Sequence, residues 1–116
     1  MRVPLIDLHI SRTNEVSYLE QQKSDHRALA LLRFLDREPG YTSNEHIISC
    51  LFDKIGLMCS RQQIRDLIER IEKIGLIRTS RTGDLVVVSL VASGDEVAKG
   101  VTTVEGVLRP GVDCPY

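Results

Sequence analysis

A mainly α-helical domain with a small antiparallel β wing, the winged helix-turn-helix arrangement, is the fold class this sequence predicts, and three observations predict it. Three amphipathic helical runs follow one another, separated by glycine or proline. Directly after the third, "LIRTS" and "LVVVSLV" are rich in β-branched residues and flank "RTGD", which reads as a β-hairpin. Between the second and third runs "LMC" is too short for a helix and reads as a brief third strand.

Residues 1–16 show no sustained periodicity; "PLIDLHI" reads as a short strand or as an arm, and we assign 1–16 to an N-terminal arm. Ser17 and Glu20 then have the S-x-x-E spacing in which each side chain bonds the other's free backbone N–H. A first helix is predicted over 17–37, with Leu19, Gln22, His26, Leu29, Leu32 and Leu35 in one stripe that Ala30 and Phe34 widen. Pro39 and Gly40 end it.

Thr42 and Glu45 repeat the capping spacing and open a second helix, whose Ile47, Ile48, Leu51, Phe52 and Ile55 face the core as far as Gly56. Ser60 and Gln63 cap the third, which buries Ile64, Leu67, Ile68, Ile71 and Ile74 and stops at Gly75. After the hairpin, Ser93 and Glu96 make a fourth capping box before a helix of two turns. "VTTVEGVLRPGVDCPY" has no helical period and is predicted to be extended. The winged-helix domain accordingly covers 17–101 and an extended tail covers 102–116.

With 116 residues, 42% hydrophobic and 27% charged, the chain has the composition of one soluble globular domain with a modest core. No run reaches the ~18 apolar residues of a membrane span, and the start lacks a signal-peptide layout. Cys50, Cys59 and Cys114 form no disulfide framework and fit reduced thiols in a cytoplasm. The net charge of −1 conceals a division along the chain: residues 60–82 carry six basic and three acidic side chains, the one stretch with a basic surplus.

The residues from about 18 to 110 resemble a family of small winged-helix proteins encoded in Mu-like phages and prophages, often labelled ArsR-like. The resemblance is carried by "LLRFLDREPGYTSNEHII", "CSRQQIRDLIERIEKIGLI", "VASGDEVAKG" and above all "VEGVLRP". It implies a phage-encoded winged helix, in a family whose members tend to be encoded near packaging and head-assembly genes, and it leaves the partner open. The first sixteen residues stand outside the family pattern.

In a helix-turn-helix protein the third helix enters the major groove by its N-terminal residues, while wing residues grip phosphates. At 100° per residue the third helix places Gln62, Asp66, Glu69 and Lys73 opposite its apolar face, with Arg61, Arg65 and Arg70 on the flanks. Arg61, Gln62 and Arg65 suit base and phosphate contacts, and Arg78 and Arg81 suit phosphate contacts from the wing. Asp66 and Glu69 oppose DNA unless neutralised, for which Arg65/Glu69 and Asp66/Arg70 have the i,i+4 spacing. Four arginine–phosphate contacts correspond to a log–log salt slope of about −3.6 per protomer. Binding to double-stranded DNA on that scale calls for a homodimer.

A protein-interaction role in phage assembly is the alternative, with a phage protein partner met by the tail through Val104, Val107, Leu108, Arg109 and Pro110, docked on a neighbouring subunit or partner. The last residues, "GVDCPY", are the stretch to which a disordered end applies. His46 and Cys50, four apart on the second helix, lack the paired spacings of a zinc site, and Cys59 reads as a small strand residue facing the core, so no metal and no cofactor is expected. Neither a nucleophile motif nor a phosphate-binding glycine loop occurs, and His26 reads as a packing histidine, so no enzyme activity is expected.

Overall fold

The computed structural model describes residues 4–116, with side chains from Ser17 onward. Helix α1 runs Pro4–Arg37 and a 3-10 turn, Pro39–Tyr41, leads into strand β1, Thr42–Asn44. Helices α2, Glu45–Lys54, and α3, Arg61–Lys73, follow. Strands β2, Ile77–Thr82, and β3, Leu85–Leu90, form the wing, and helix α4, Ala92–Ala98, precedes the tail. The three main helices, the hairpin and the short last helix follow in the order the sequence predicts, and the fold is a winged helix; the third strand stands elsewhere.

The first helix departs from the expected start at residue 17. It begins at Pro4, where a proline's missing N–H and fixed φ suit the first helical turn. No glycine or proline interrupts the chain from there to Arg37, and "PLIDLHI" is helical. The S-x-x-E spacing at Ser17 therefore lies inside the helix; residues 1–3 of the expected arm lie outside the described residues. At ~1.5 Å per residue a 34-residue helix is about 51 Å long, which accounts for the 62 Å long axis.

The C-terminal half of α1 is the centre of the core. Ala28, Leu29, Ala30, Leu31, Leu32 and Leu35 are buried there against Ile48 and Phe52 of α2, Ile64 and Ile71 of α3, and Val88 of β3. Leu19, near the start of the expected apolar stripe, is exposed. Arg27 is buried with these residues because its guanidinium has partners: Nε donates to the Leu57 carbonyl at 2.8 Å and Nη2 to that of Met58 at 3.2 Å.

That contact also explains why "LMC" is not a strand. Its first two carbonyls accept from an arginine side chain, and residues 57–60 cross to α3 without regular structure. The third strand is β1, ahead of α2, in a sheet of order β1-β3-β2 with both pairings antiparallel. Thr42 pairs with Ser89, their hydroxyls 2.9 Å apart. With Thr42 in the sheet, the cap of α2 falls to Asn44, whose Oδ1 accepts from His46 N and Ile47 N; Glu45 is released from the expected capping box. Ile48 and Phe52 are buried as expected, whereas Ile47 is exposed.

The hairpin turns on Gly83 and Asp84, with Thr82 paired to Leu85; Gly83 has φ 63°, a conformation glycine adopts freely at the first position of a two-residue turn. The helix after the wing forms without its expected Ser93/Glu96 box. Its N-cap is Val91, and Ser93 Oγ donates to the Gly75 carbonyl at 2.6 Å. Gly94 lies on the backbone of Leu76, leaving no space for a Cβ.

The tail lies on its own domain. Val107 is buried, with Val104, Leu108, Cys114 and Tyr116 packed against the same core. Leu108 N donates to the Asp25 carbonyl, and Arg70 Nη1 donates to that of Gly106 at 3.0 Å. "GVDCPY" is ordered onto α1: Arg33 Nε and Arg37 Nη2 donate to the Tyr116 main-chain oxygen at 2.8 and 2.6 Å, and the Tyr116 hydroxyl lies 2.7 Å from His26 Nδ1. No described helix is long and apolar enough to cross a membrane.

Candidate nucleic-acid interface

The third helix is built as its sequence implies. Ser60 Oγ accepts from Gln63 N at 3.1 Å and Gln63 Oε1 accepts from Ser60 N at 2.8 Å, the full capping box. Ile64, Leu67, Ile68 and Ile71 turn inward, while Arg61, Gln62, Asp66, Glu69 and Lys73 are exposed. Ile74, expected in the core, is exposed at the C-cap.

Between α3 and the wing lies an open cleft of about 310 Å³, to which Gln62, Arg65, Asp66, Glu69 and Arg81 all contribute. Arg81 and Thr79 share the face of β2 that looks toward α3, because side chains alternate along a strand. Arg78 has the opposite parity and stands on the far face of the hairpin, exposed. The structure thus brings Gln62, Arg65 and Arg81 to one cleft, ties Arg61 to Arg65 through Glu45, and sets Arg78 on the other face of the hairpin.

The charge pairing differs from the local i,i+4 expectation. Arg65 turns from Glu69 to Glu45, and Arg70 turns from Asp66 to the Gly106 carbonyl and Ser24 Oγ. Asp66 accepts a hydrogen bond from the neutral Gln62 amide at 2.8 Å, and Glu69 has Lys73 Nζ at 3.8 Å, both of that pair well exposed. An exposed pair of that kind stabilises little. Among the described residues no arginine neutralises the acidic ridge of α3, which lowers the attraction of this face for phosphate.

Glu45 is the functional-region residue that sequence reasoning misses. It is 3% exposed, at the first position of α2. Its Oε2 accepts from Arg65 Nε at 2.8 Å, and its Oε1 accepts from Arg65 Nη2 at 2.8 Å, Arg61 Nη2 at 3.2 Å and Val86 N at 3.4 Å. The Arg65 fork holds the carboxyl at about 2, below its ordinary 4.5, against burial acting in the opposite direction; Arg61 and the Val86 amide add to the lowering. Arg65 Nη2 also donates to the Asp84 carbonyl in the wing turn at 3.1 Å. The available signal was faint: an acid at a helix start, 20 residues before its partner, with a capping role that accounted for it.

Glu72 has a comparable part in mid-wing, accepting from Thr79 N at 3.0 Å and Thr79 Oγ1 at 2.9 Å. It thereby occupies an outward N–H of the edge strand β2. Among the described residues no group of three or more His, Cys, Asp and Glu stands close enough together to hold a metal ion. Cys59 packs against the core outside any strand, and burial pushes its thiol above the ordinary value.

No protein-family profile matches the chain, and no curated protein matches it. Solved structures do. A MarR family transcriptional regulator from Streptomyces coelicolor, in complex with DNA, is similar at a TM-score of 0.53 and 19% identity, over 80% of this chain and 63% of that one. ZitR from Lactococcus lactis, a mutant in apo form, is similar at a TM-score of 0.46 and 16% identity, over 82% of this chain and 67% of that one. This chain spans less than two thirds of the Streptomyces protein, and the likeness to it is one of fold: a winged helix.

Proposed function

We propose that this winged-helix protein binds double-stranded DNA as a homodimer, with the first turn of α3 in the major groove and the wing against the backbone. The observation that carries this reading is the exposure of Arg61 and Gln62 on the capped first turn of α3, with Gln62 and Arg81 lining one cleft. Arg61 and Arg81 meet phosphates from this side, Gln62 reaches base edges, and Arg78 reaches phosphate from the outer face of the wing. The similar fold of a regulator solved with DNA supports a regulatory role. A phage setting, with a part in regulation or genome packaging in the host cytoplasm, rests on the sequence resemblance alone.

Arg61, Arg78 and Arg81 give a salt slope of about −2.7 per protomer at ~0.9 for each contact. Two protomers double it, which is why a dimer belongs to the reading. The test is fluorescence anisotropy with random duplex DNA at two salt concentrations. Salt-weakened binding whose slope drops by about 0.9 in Arg61→Ala and again in Arg81→Ala supports the reading; absence of binding at low salt removes it.

A second reading, a protein-interaction module of phage assembly, is favoured by one observation: Asp66 and Glu69 stand exposed on the ridge of α3 with no arginine partner among the described residues. A basic protein surface would suit that ridge better than a phosphate-lined groove. With Val107 occupied by the chain's own core, Arg109 is the exposed member of the tail residues assigned to such a partner.

A further inference from the structure

We propose that Arg65 is a positioning residue, not a phosphate contact: together with Glu45 it forms a clasp that fixes the wing turn against α3. This rests on the DNA-binding reading and assigns its geometry. Two side chains join four elements. Arg65 comes from α3 and Glu45 from α2; Glu45 accepts from Val86 N at the base of β3, and Arg65 donates to the Asp84 carbonyl in the turn itself.

The turn has need of such a tie. Residues 81–84 are all exposed, and the Glu72 bond to Thr79 anchors the wing only midway along β2. Without the clasp, the end of the hairpin is held by its own pairing alone, and a two-stranded ribbon sets its angle loosely. Arg81 then has no defined distance from the first turn of α3, and the two phosphate-gripping sites lose their common register.

Arg65 is also poorly placed to leave its partner. Its side chain is 30% exposed, and both bonds of its fork to Glu45 are 2.8 Å. Turning the guanidinium toward a phosphate strips the fork from a carboxylate that is 3% exposed, the costly way to break a buried pair. Arg61, 59% exposed and sharing one oxygen of Glu45 at 3.2 Å, is free to do what Arg65 is not.

The opposite arrangement, in which Glu45 withholds a DNA-contacting Arg65, predicts effects of opposite sign. The full chain is compared with Glu45→Gln, Arg65→Lys and Arg81→Ala by anisotropy across a salt series and by amide hydrogen exchange. Glutamine offers one acceptor oxygen, and lysine keeps the charge without the fork. The clasp predicts faster exchange at Leu85 and Val86 in both variants, with residues 29–32 unchanged as the control for folding. It also predicts DNA affinity lower by roughly tenfold, at an unchanged salt slope. Tighter binding and a slope steeper by about 0.9 in Glu45→Gln overturn the proposal, because they make Arg65 a restrained contact. Unaltered wing exchange overturns it whatever the DNA result. Arg81→Ala reports on the DNA reading separately: a wild-type chain that does not bind, with Arg81→Ala no different, fails that reading even where wing exchange confirms the clasp, and Arg65 then positions nothing for DNA.

Discussion

The Glu45 carboxyl should make this protein's acid stability separable from that of its other fifteen acidic residues. The perturbation is Glu45→Gln. A carboxyl held at about 2 in the fold and near 4.5 in the unfolded chain has its proton bound more tightly by the unfolded state. Its contribution is therefore fully present above the unfolded value and is lost as pH falls from about 4.5 toward 2. The interval corresponds to on the order of 3 kcal/mol at neutral pH. Glutamine retains an acceptor for Arg65, so the difference between the two proteins at pH 7 is smaller, about 1–2 kcal/mol. The assay is urea denaturation followed by far-UV circular dichroism at several pH values from neutral to about 2.5. Every other carboxyl titrates in both proteins, so the difference curve isolates Glu45. Wild type should be the more stable at pH 7, and its advantage should shrink steadily below about pH 4.5. A difference that stays constant down to pH 2.5 would refute the reasoning, since it would mean that Glu45 has no displaced titration.

Other predictions concern the same fold. Arg65→Met leaves the buried Glu45 carboxylate with only its longer bonds to Arg61 and Val86 and should cost about 2–4 kcal/mol by denaturant midpoint, more than Glu45→Gln alone; the Glu45→Gln/Arg65→Met double variant should recover part of that loss in a double-mutant cycle. Gly94→Ala drives a Cβ into the Leu76 carbonyl, so α4 must shift, at about 1–3 kcal/mol in calorimetric or urea unfolding; an unchanged midpoint would contradict the packing described. Truncation after Gly100 removes buried Val107 and the Tyr116 contacts to His26, Arg33 and Arg37. It should lower the unfolding midpoint by at least about 2 kcal/mol, whereas a tail that serves only another subunit would leave the isolated chain's stability intact.

How much was legible depended on the range over which each signal acts. The α3 capping box and its inward Ile64, Leu67, Ile68 and Ile71 could be read because cap and periodicity lie within a few residues of the helix they define. The hairpin was readable for the same reason, as a glycine-containing "RTGD" between two β-branched runs, although Arg81 and Thr82 belong to the strand and the turn is Gly83 and Asp84 alone. Three capping spacings were false or inert: that at Ser17 lies within a helix starting at Pro4, that at Thr42 gives way to Asn44, and that at Ser93 is replaced by a bond to Gly75. A four-residue pattern cannot show whether its hydroxyl already has a partner elsewhere in the fold.

By itself, then, the sequence determined the second and third helices, the hairpin, the order of these elements, most of the apolar faces and hence the winged-helix class, because all of these follow from local propensity and period. Only the tertiary structure decided the partners. Which strand completes the sheet was settled by Thr42 meeting Ser89 while Arg27 took the carbonyls of Leu57 and Met58. Where the tail lies was settled by α1 offering it Arg33, Arg37 and His26. Which arginines of the candidate interface are free was settled by Glu45, 20 residues from Arg65 in the chain and 2.8 Å from it in space. Charge pairs of this kind follow distance after folding, and spacing along the sequence carries no information about it.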